Sequence, residues 1–231
     1  MKITYLGHST VHIDTGDYKL LIDPFITGNP SSSGKADSIQ ADYILLTHGH
    51  SDHIGDAEPI ARRTGAEIVA IVELANYFAN KGLKTSGLNL GGSFPFPFGR
   101  LRLTPALHTS SIEVEGTNIY MGVPAGIVLE LDGLTIYHAG DTALFSDMKL
   151  IGERRRIDLA FLPIGDYFTM GPEDALTAAK WLQARHVVPI HYNTFGLIQQ
   201  DGDLFVRTLK ESGIQGRALM PGEFIQSSEL E

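Results

Sequence analysis

A chain of 231 residues can bury a sizeable core as one compact domain or two small ones. Its 18 Lys and Arg residues against 27 Asp and Glu residues give a net charge of −9, which argues against a general nucleic-acid-binding protein, because such proteins need a basic face for phosphates. The chain has no cysteine, so disulfides and thiolate sites are excluded, and any metal must be held by nitrogen and oxygen.

The N-terminal sequence MKITYLGHST has no apolar core of the kind found in signal peptides. No apolar run in the chain approaches the length of a transmembrane helix. We therefore expect a cytoplasmic protein with no membrane partner.

The first half of the chain is predicted to alternate strands and helices. Apolar and β-branched runs bounded by turn residues predict strands at 2–7, 10–14, 18–23, 42–47 and 67–71. Helices are expected at 56–64 and 73–81, with Gly82 ending the second. Residues 90–99, LGGSFPFPFG, are predicted to form a loop because of their glycines and prolines, and a strand is expected at 101–107.

The second half repeats this arrangement. Strands at 125–131 and 134–140 are predicted to form a hairpin, and further buried strands are expected at 159–164 and 186–191. A helix is expected at 172–183, since Pro172 and two acids stand in its first turn. A last helix is predicted from Asp203, as its cap, to Gly213. No linker or low-complexity segment divides the chain, so we predict a single domain, residues 1–231, with two similar halves.

Residues 47–53, THGHSDH, contain three of the nine histidines in the chain. A tight loop after the strand at 42–47 can direct His48 and His50 to one ion, while Asp52 and His53 begin the next helix and can reach a second ion. The alternative is a polar helix start with solvated histidines. Four potential ligands in six residues favour a metal site, because buried imidazoles without partners would be costly to desolvate.

Three more candidate ligands follow predicted strands in the same way. They are His108 after 101–107, Asp141 after 134–140, and His191 after the sequence HVVPI. Each alone is weak, because a single histidine at a strand end is more often an ordinary hydrogen-bonded residue. Together with HGHSDH they complete seven ligands for two metals.

This series of motifs resembles the metallo-β-lactamase superfamily. The segments LGHST, YHAGDT, PIGDYFTMGPEDA and PIHYNTF resemble more narrowly the small bacterial and archaeal metal-dependent hydrolases that are similar to the ascorbate-6-phosphate lactonase group. The resemblance implies an α+β fold, a four-layer αββα sandwich with the metals at one edge of the two sheets. It also implies a ligand assignment: His48, His50 and His108 for the first metal, Asp52, His53 and His191 for the second, and Asp141 as the bridge.

Other polar residues beside these motifs are candidates for the same cleft. The resemblance turns His8 toward the metals, so His8 and His138 are candidate substrate-binding residues; His8 could instead bond to backbone at a strand end, and His138 could instead support Asp141. His12 and His186 are interpreted as structural. Four hydroxyl or carboxyl side chains are weaker candidates to line the pocket: Thr109, Asp166, Thr169 and Thr194.

Two divalent cations at these ligands would lower the pKa of a shared water far below its bulk value of about 15.7 and provide hydroxide near neutral pH. Asp52, which could orient that hydroxide, and Asp141, the bridge, are the candidate catalytic residues. The seven ligands include only two carboxylates, so two divalent ions would leave a positive cleft. We therefore expect a hydrolase that acts on a small, anionic, ester-like substrate, either a lactone or a phosphoester.

The expected cofactors are two divalent metal ions, zinc first, with manganese, nickel or iron able to substitute, because nitrogen and oxygen ligands select weakly among them. Two other classes use the same scaffold: an iron-loaded redox protein and a non-catalytic metal-binding or sensor protein. An intact bridging Asp141 and the absence of a redox partner domain favour the hydrolase. The expected partner is a small-molecule substrate rather than a long nucleic acid, and a homo-oligomer is compatible with the sequence but is not determined by it.

Overall fold

The computed structural model of the protein describes residues 1–230, and this part of the chain is built mainly from short strands. In chain order the strands are β1 (Lys2–Gly7), β2 (Thr10–Asp14), β3 (Lys19–Ile22), β4 (Tyr43–Leu45), β5 (Glu67–Ile71), β6 (Thr85–Leu88), β7 (Ser93–Phe96), β8 (Gly99–Pro105), β9 (Ser111–Val114), β10 (Thr117–Tyr120), β11 (Ala125–Leu131), β12 (Leu134–His138), β13 (Leu159–Pro163), β14 (His186–Ile190), β15 (Gln215–Gly216) and β16 (Phe224–Gln226).

Six α-helices accompany these strands within residues 1–230. They are α1 (Ser51–Ile54), α2 (Ala57–Thr64), α3 (Val72–Ala79), α4 (Met148–Arg154), α5 (Pro172–Trp181) and α6 (Gly202–Glu211). Three single turns of 3₁₀ helix lie at Ala36–Ser38, Gly196–Ile198 and Ser227–Glu229. None of the helices in the described residues is long and apolar enough to cross a membrane.

The strands form two seven-stranded mixed sheets and one small hairpin. The first sheet has the order β16-β1-β2-β3-β4-β5-β6, and the second has the order β15-β14-β13-β12-β11-β8-β7. In each sheet one half is antiparallel and the other half, β3 to β6 or β12 to β15, is parallel. The hairpin of β9 and β10 stands apart from both sheets.

The two sheets pack face to face through alternating apolar residues. Val11 and Ile13 of the first sheet lie in one buried cluster with Leu101, Leu103 and Ile127 of the second. Side chains that point to the other face of the second sheet pack instead against α4, α5 and α6. Helices α2 and α3 contact the first sheet at β5 and β6. The layers are therefore helix, sheet, sheet and helix, which confirms the predicted αββα sandwich.

The predicted loop at 90–99 is wrong, because residues Ser93–Phe96 form strand β7. This strand pairs antiparallel with β8, with Ser93 opposite Arg102 and Phe96 opposite Gly99. Pro95 is tolerated because β7 is the edge strand of its sheet, where a missing backbone donor leaves no partner unpaired.

The predicted start of the last helix is also wrong by two residues. The cap of α6 is Asp201, whose carboxylate accepts a hydrogen bond from the Leu204 backbone N–H at 2.8 Å. Asp203 lies inside the first turn of the helix. Both residues are acids near a helix start, so composition alone could not distinguish the cap from the first turn.

Candidate metal centre

The candidate ligands are collected at one edge of the sandwich, where several strands end. His48 and His50 follow β4, Asp141 follows β12, and His191 follows β14 directly. These strands belong to the parallel parts of their sheets. Their carboxyl ends therefore meet at the same edge, which is where ligands bind in such sheets.

The first group of donor atoms belongs to His48, His50 and His108. One ring nitrogen from each lies within 4.8 Å of the others, and Nε2 of His48 is 3.0 Å from Nδ1 of His50. Donors bound to one zinc ion at about 2.1 Å in a tetrahedron lie about 3.4 Å apart. The spacing of these three imidazoles therefore suits a single ion.

The second group contains Asp52, His53 and His191, and the structure adds His8 to it. One donor atom from each of the four lies within 4.8 Å of the others. The Nε2 atoms of His53 and His191 are 3.9 Å and 3.7 Å from Oδ2 of Asp52. Side chains from α1 and from the residues that directly follow β1 and β14 thus meet at this second position.

Asp141 lies between the two groups. Its Oδ1 is 3.3 Å from Nε2 of His53, and its Oδ2 is 3.0 Å from Nε2 of His191 and 3.6 Å from Nε2 of His108. One carboxylate therefore reaches histidines of both groups, as a bridging ligand must. Gly140 allows this approach: its φ is +62°, and a Cβ there would lie 2.9 Å from Cβ of Thr47.

Several buried donor atoms of this cluster have no hydrogen bond among the described residues. They are Nε2 of His53, Oδ1 of Asp141 and both ring nitrogens of His191. Buried polar atoms are nearly always satisfied in folded proteins, and leaving one unpaired costs about 1–3 kcal/mol. Nε2 of His53, Oδ1 of Asp141 and Nε2 of His191 lie close together and fit a metal site. The neutral-imidazole and carboxylate donors fit zinc-type ions.

The charges of the cluster shift the pKa values in the metal-free protein. Burial raises the pKa of Asp141, but His191 and His53 outweigh it and hold that pKa well below its usual range. Burial lowers the pKa of His191, but Asp141 outweighs it and raises the pKa to about 9. Burial lowers the pKa of His48 well below its usual value, and that histidine is neutral, as a metal ligand must be.

Asp23, which the sequence analysis missed, supports both groups of ligands from behind. Its carboxylate accepts hydrogen bonds from Nδ1 of His53 at 2.7 Å and from the Thr47 hydroxyl at 2.6 Å. That hydroxyl in turn lies 3.0 Å from Nδ1 of His48. Asp23 therefore fixes the ring nitrogens that face away from the cluster, which leaves each Nε2 free for metal. In the sequence, the only sign of this role is that Asp23 directly follows a buried strand.

His8 lies behind Asp52 rather than in the open cleft. It is fully buried, its Nε2 donates to Oδ2 of Asp52 at 3.1 Å, and its Nδ1 is 2.9 Å from the Thr194 hydroxyl. The rings of Phe25 and Phe195 pack edge-on against it. Both ring nitrogens are engaged and no ring atom reaches solvent, so His8 contacts a candidate ligand in this structure. Its role in substrate binding stays a prediction.

The contacts of His138 favour the alternative that it supports Asp141 over a contact with substrate. Its Nε2 donates to the backbone carbonyl of Ser9 at 2.9 Å, and its Nδ1 accepts from the Gly140 backbone N–H at 3.1 Å. The side chain is 1% exposed, so neither nitrogen is available to a ligand. These two hydrogen bonds connect β12 to the loop after β1 and hold the backbone of the turn that contains Asp141.

The two histidines interpreted as structural and the four weaker pocket-lining candidates have the following contacts. His12 and His186 bond to the backbone carbonyls of Gln40 and Asp158 and lie outside the donor groups. Thr194 contacts His8, and the Thr109 hydroxyl is 3.4 Å from Nε2 of His50. Asp166 and Thr169 contact Met170 through a backbone N–H and a hydroxyl, respectively.

A cavity of about 350 Å³ opens beside His108. Its walls come from the loop after β8, the β9–β10 hairpin and the segment before β11, and they include Thr109, Asn118, Tyr120 and Val123. Tyr120 is 64% exposed and Val123 is 40% exposed. Exposed apolar side chains next to a polar cleft are typical of a binding surface.

The fold and the histidine–aspartate edge together define a class, the metal-dependent hydrolases built on the metallo-β-lactamase fold. The "Beta-lactamase superfamily domain" family matches residues 18–192 of the chain. That segment contains all seven predicted ligands.

Individual relatives narrow the assignment. A "UPF0173 metal-dependent hydrolase" of Geobacillus thermodenitrificans is 57% identical over 98% of this chain and 100% of its own length. The "UPF0173 metal-dependent hydrolase YtkL" of Bacillus subtilis is 53% identical over 98% of this chain and 100% of its own. The chain belongs to this family of metal-dependent hydrolases within the beta-lactamase superfamily.

A solved structure shares the whole fold. Igni18, described as a novel metallo hydrolase from the hyperthermophilic archaeon Ignicoccus hospitalis, superposes with a TM-score of 0.89 at 40% sequence identity. The match covers 97% of each chain.

Proposed function

We propose that the protein is a two-metal hydrolase of a small, anionic, ester-like substrate, a phosphorylated lactone or a phosphodiester. The observation that carries the proposal is the pair of donor groups joined by Asp141. One group is His48, His50 and His108; the other contains Asp52, His53 and His191. Two divalent cations at these groups would supply Lewis acidity to a carbonyl or phosphoryl oxygen and lower the pKa of water.

The preference for an anion follows from the charges at the site. Asp52, Asp141 and the supporting Asp23 carry three negative charges, one more than the seven ligands alone, and two divalent cations carry four positive charges. Before a bound water loses its proton, the site would therefore be positive by about one charge in a chain whose net charge is −9, which favours the approach of an anion. The same acidic surface opposes an extended polyanion, which supports a small substrate over a long nucleic acid.

The exposure of Asp52 supports a role for it in orienting the attacking water. Its side chain is 25% exposed, whereas that of Asp141 is 3% exposed and that of Asp23 is fully buried. Asp52 is therefore the carboxylate of the cluster that faces the cleft. An attacking water can donate a hydrogen bond to it, while the His8 N–H holds Oδ2 in place from the buried side.

The cavity beside His108 supports a substrate with an apolar part. The exposed faces of Tyr120 and Val123 can pack against an organic group, while the hydroxyl of Thr109 and the amide of Asn118 can bond to its polar atoms. The reacting ester would then lie at the first donor group, next to His108.

A matched panel tests this proposal. The metal-loaded protein is assayed on a phosphodiester, a phosphomonoester, a lactone and a thioester, each carrying either a small alkyl or an aromatic group. Wild type is compared with Asp52→Ala, and the metal content of both is measured. Asp37→Ala, which changes an exposed acid on the 3₁₀ turn Ala36–Ser38, is the matched control.

Turnover of the phosphodiester or the lactone, lost in Asp52→Ala and kept in Asp37→Ala, is the expected result. Aromatic substrates should have the lower KM, and Tyr120→Ala should remove that difference. Metal-replete wild type that turns over none of the four substrates would contradict the proposed substrate class.

A further inference from the structure

A second charged cavity lies on the outer face of the second sheet, away from the metal edge. Arg100, Arg102 and Thr104 alternate along β8 and point to this face. Across the ladder they pair with Glu130, Val128 and Gly126 of β11. The carboxyl end of α4 adds Arg154 and Arg155 to the rim. An outer sheet face that should be apolar and covered by a helix is polar and open here.

The cavity has the opposite charge to the molecule. Four arginines and one acid, Glu130, line it, while the whole chain has a net charge of −9. Four of the 18 basic residues are therefore concentrated around a space of about 280 Å³. Such a local excess of positive charge attracts anions.

Three of the four guanidinium groups have no acidic partner within residues 1–230. Arg155 lies 3.1 Å from Oε2 of Glu130, and Arg100 donates to the Ser93 hydroxyl at 3.1 Å. The guanidinium groups of Arg102 and Arg154 form no ion pair and no hydrogen bond within residues 1–230. Burial and the charge of Arg154 lower the pKa of Arg102. The arrangement thus brings four positive charges together around one acid, Glu130, which offsets only one of them.

Helix electrostatics explain only part of this cluster. Cations at the end of a helix interact well with its dipole, which accounts for Arg154 and Arg155. It does not account for Arg100 and Arg102, which belong to a sheet strand and stand opposite Glu130 and Val128. The placement of Arg100 and Arg102 on the same cavity as the end of α4 would be explained by a bound anion.

We propose that this cavity binds a small phosphomonoester, at a site separate from the metal centre. The planar forks of Arg102 and Arg154 match the geometry of phosphate oxygens. The hydroxyls of Ser93 and Thr104 can donate to the remaining oxygens, while Val128 and the aliphatic residues Ile151 and Ile157 line the part of the cavity that takes the organic group.

The position of the cavity in the sheet separates the two sites. The metal ligands follow the carboxyl ends of β12 and β14, whereas Arg100 and Glu130 pair near the other end of the sheet, beside the turn into β12. Arg154 and Arg155 precede β13 at this same end. A ligand in this cavity therefore does not occupy the reaction site and would regulate or anchor the protein instead.

Side-chain NMR of the metal-loaded protein tests the site directly. The arginine Nε–Hε resonances are followed while inorganic phosphate or adenosine 5′-monophosphate is added at low ionic strength. Saturable shifts of the Arg100 and Arg102 resonances are expected, with the nucleotide binding more tightly than phosphate because it also uses the apolar wall. These resonances report on the cavity and not on the metal centre.

The double variant Arg102→Gln with Arg154→Gln should weaken binding at least tenfold. The double variant Arg207→Gln with Lys210→Gln, which removes the same two charges from the exposed face of α6, is the matched control and should bind as wild type does. Linear shifts without saturation, or equal affinity in the double variant, would overturn the proposal. Equal weakening by Arg207→Gln with Lys210→Gln would also overturn it, because the effect would then be one of net charge.

Discussion

The carboxylate of Asp141 has neighbours in both donor groups, so its charge is shared by any two cations bound there. Asp141→Asn keeps the size of the side chain but removes that charge. We expect this variant to lose one of two ions, because the repulsion between two cations a few ångström apart is no longer offset. Elemental analysis of the purified variant measures this. Two tightly held ions in Asp141→Asn would show that Asp141 is not the bridge.

His8 is a positioning residue in this account, since it acts through Asp52. His8→Ala should lower kcat by about 10- to 100-fold, the range typical of groups that orient a metal ligand. KM should change little, because the buried ring does not reach substrate. Steady-state kinetics separate the two constants. Thr194→Val, which removes only the hydroxyl that bonds to His8, should lower kcat in the same way but by less. If His8→Ala changed only KM, His8 would instead be a substrate-binding residue.

At the scale of single residues, the sequence predicted the candidate metal ligands better than the residues that hydrogen-bond to them. The spacing of HGHSDH and the three later strand ends identified the residues that the fold brings together, because the carboxyl ends of parallel strands must share an edge. Asp23 was missed since one aspartate after one strand forms no pattern. For His138 the sequence left two roles open, substrate binding and support of Asp141, because its place beside Asp141 does not reveal that its ring bonds to two backbone groups.

Among the elements, helix α6 provides a test of the capping assignment. Asp201→Ala removes the side-chain acceptor for the Leu204 backbone N–H and should lower the free energy of unfolding by about 1 kcal/mol. Asp203→Ala, two residues along in the first turn, should cost only a few tenths of a kcal/mol through the helix dipole. Thermal or denaturant unfolding of the metal-loaded variants compares them. A larger loss in Asp203→Ala would restore the cap that the sequence suggested.

Long buried elements were predicted well, and exposed or edge strands were not. The strand at 125–131 and the start of the helix at 172 match the structure, because the first has a continuous apolar run and the second has a proline with acids in its first turn. The β9–β10 hairpin was missed, since every residue of β10 is exposed and its pattern carries no alternation. Strand β7 was missed because its proline is compatible with a strand only at a sheet edge.

For the molecule as a whole, metal binding should be coupled to proton release. Asp141 raises the pKa of His191 to about 9, despite the opposing effect of burial, and His53 is likewise raised well above its usual value. Both are therefore protonated near pH 7 in the metal-free protein and must lose those protons to bind metal. Calorimetric titration with zinc in buffers of different ionisation enthalpy should show release of about one to two protons per chain.

Because metal binding releases protons, the stabilisation of the protein by zinc should depend on pH. In the metal-free protein the His191–Asp141 interaction contributes stability that is fully present below the unfolded pKa of about 6.5 and is lost as the pH rises through about 9. Metal binding needs the neutral imidazole and becomes stronger over the same range. The increase in Tm caused by zinc should therefore grow from about pH 6.5 to about pH 9. An increase in Tm that is constant across this range would mean that His191 does not titrate on binding.

Metal stoichiometry measured against activity is the most direct test of a two-metal centre. The protein is produced without a histidine tag, stripped, and reconstituted stepwise with zinc, and each step is analysed for bound ions and for turnover of the substrate found in the panel. The seven donors predict that binding ends at two ions per chain and that full turnover needs the second. Protein that never exceeds one ion per chain, or that reaches full activity with one, would contradict the two-metal centre.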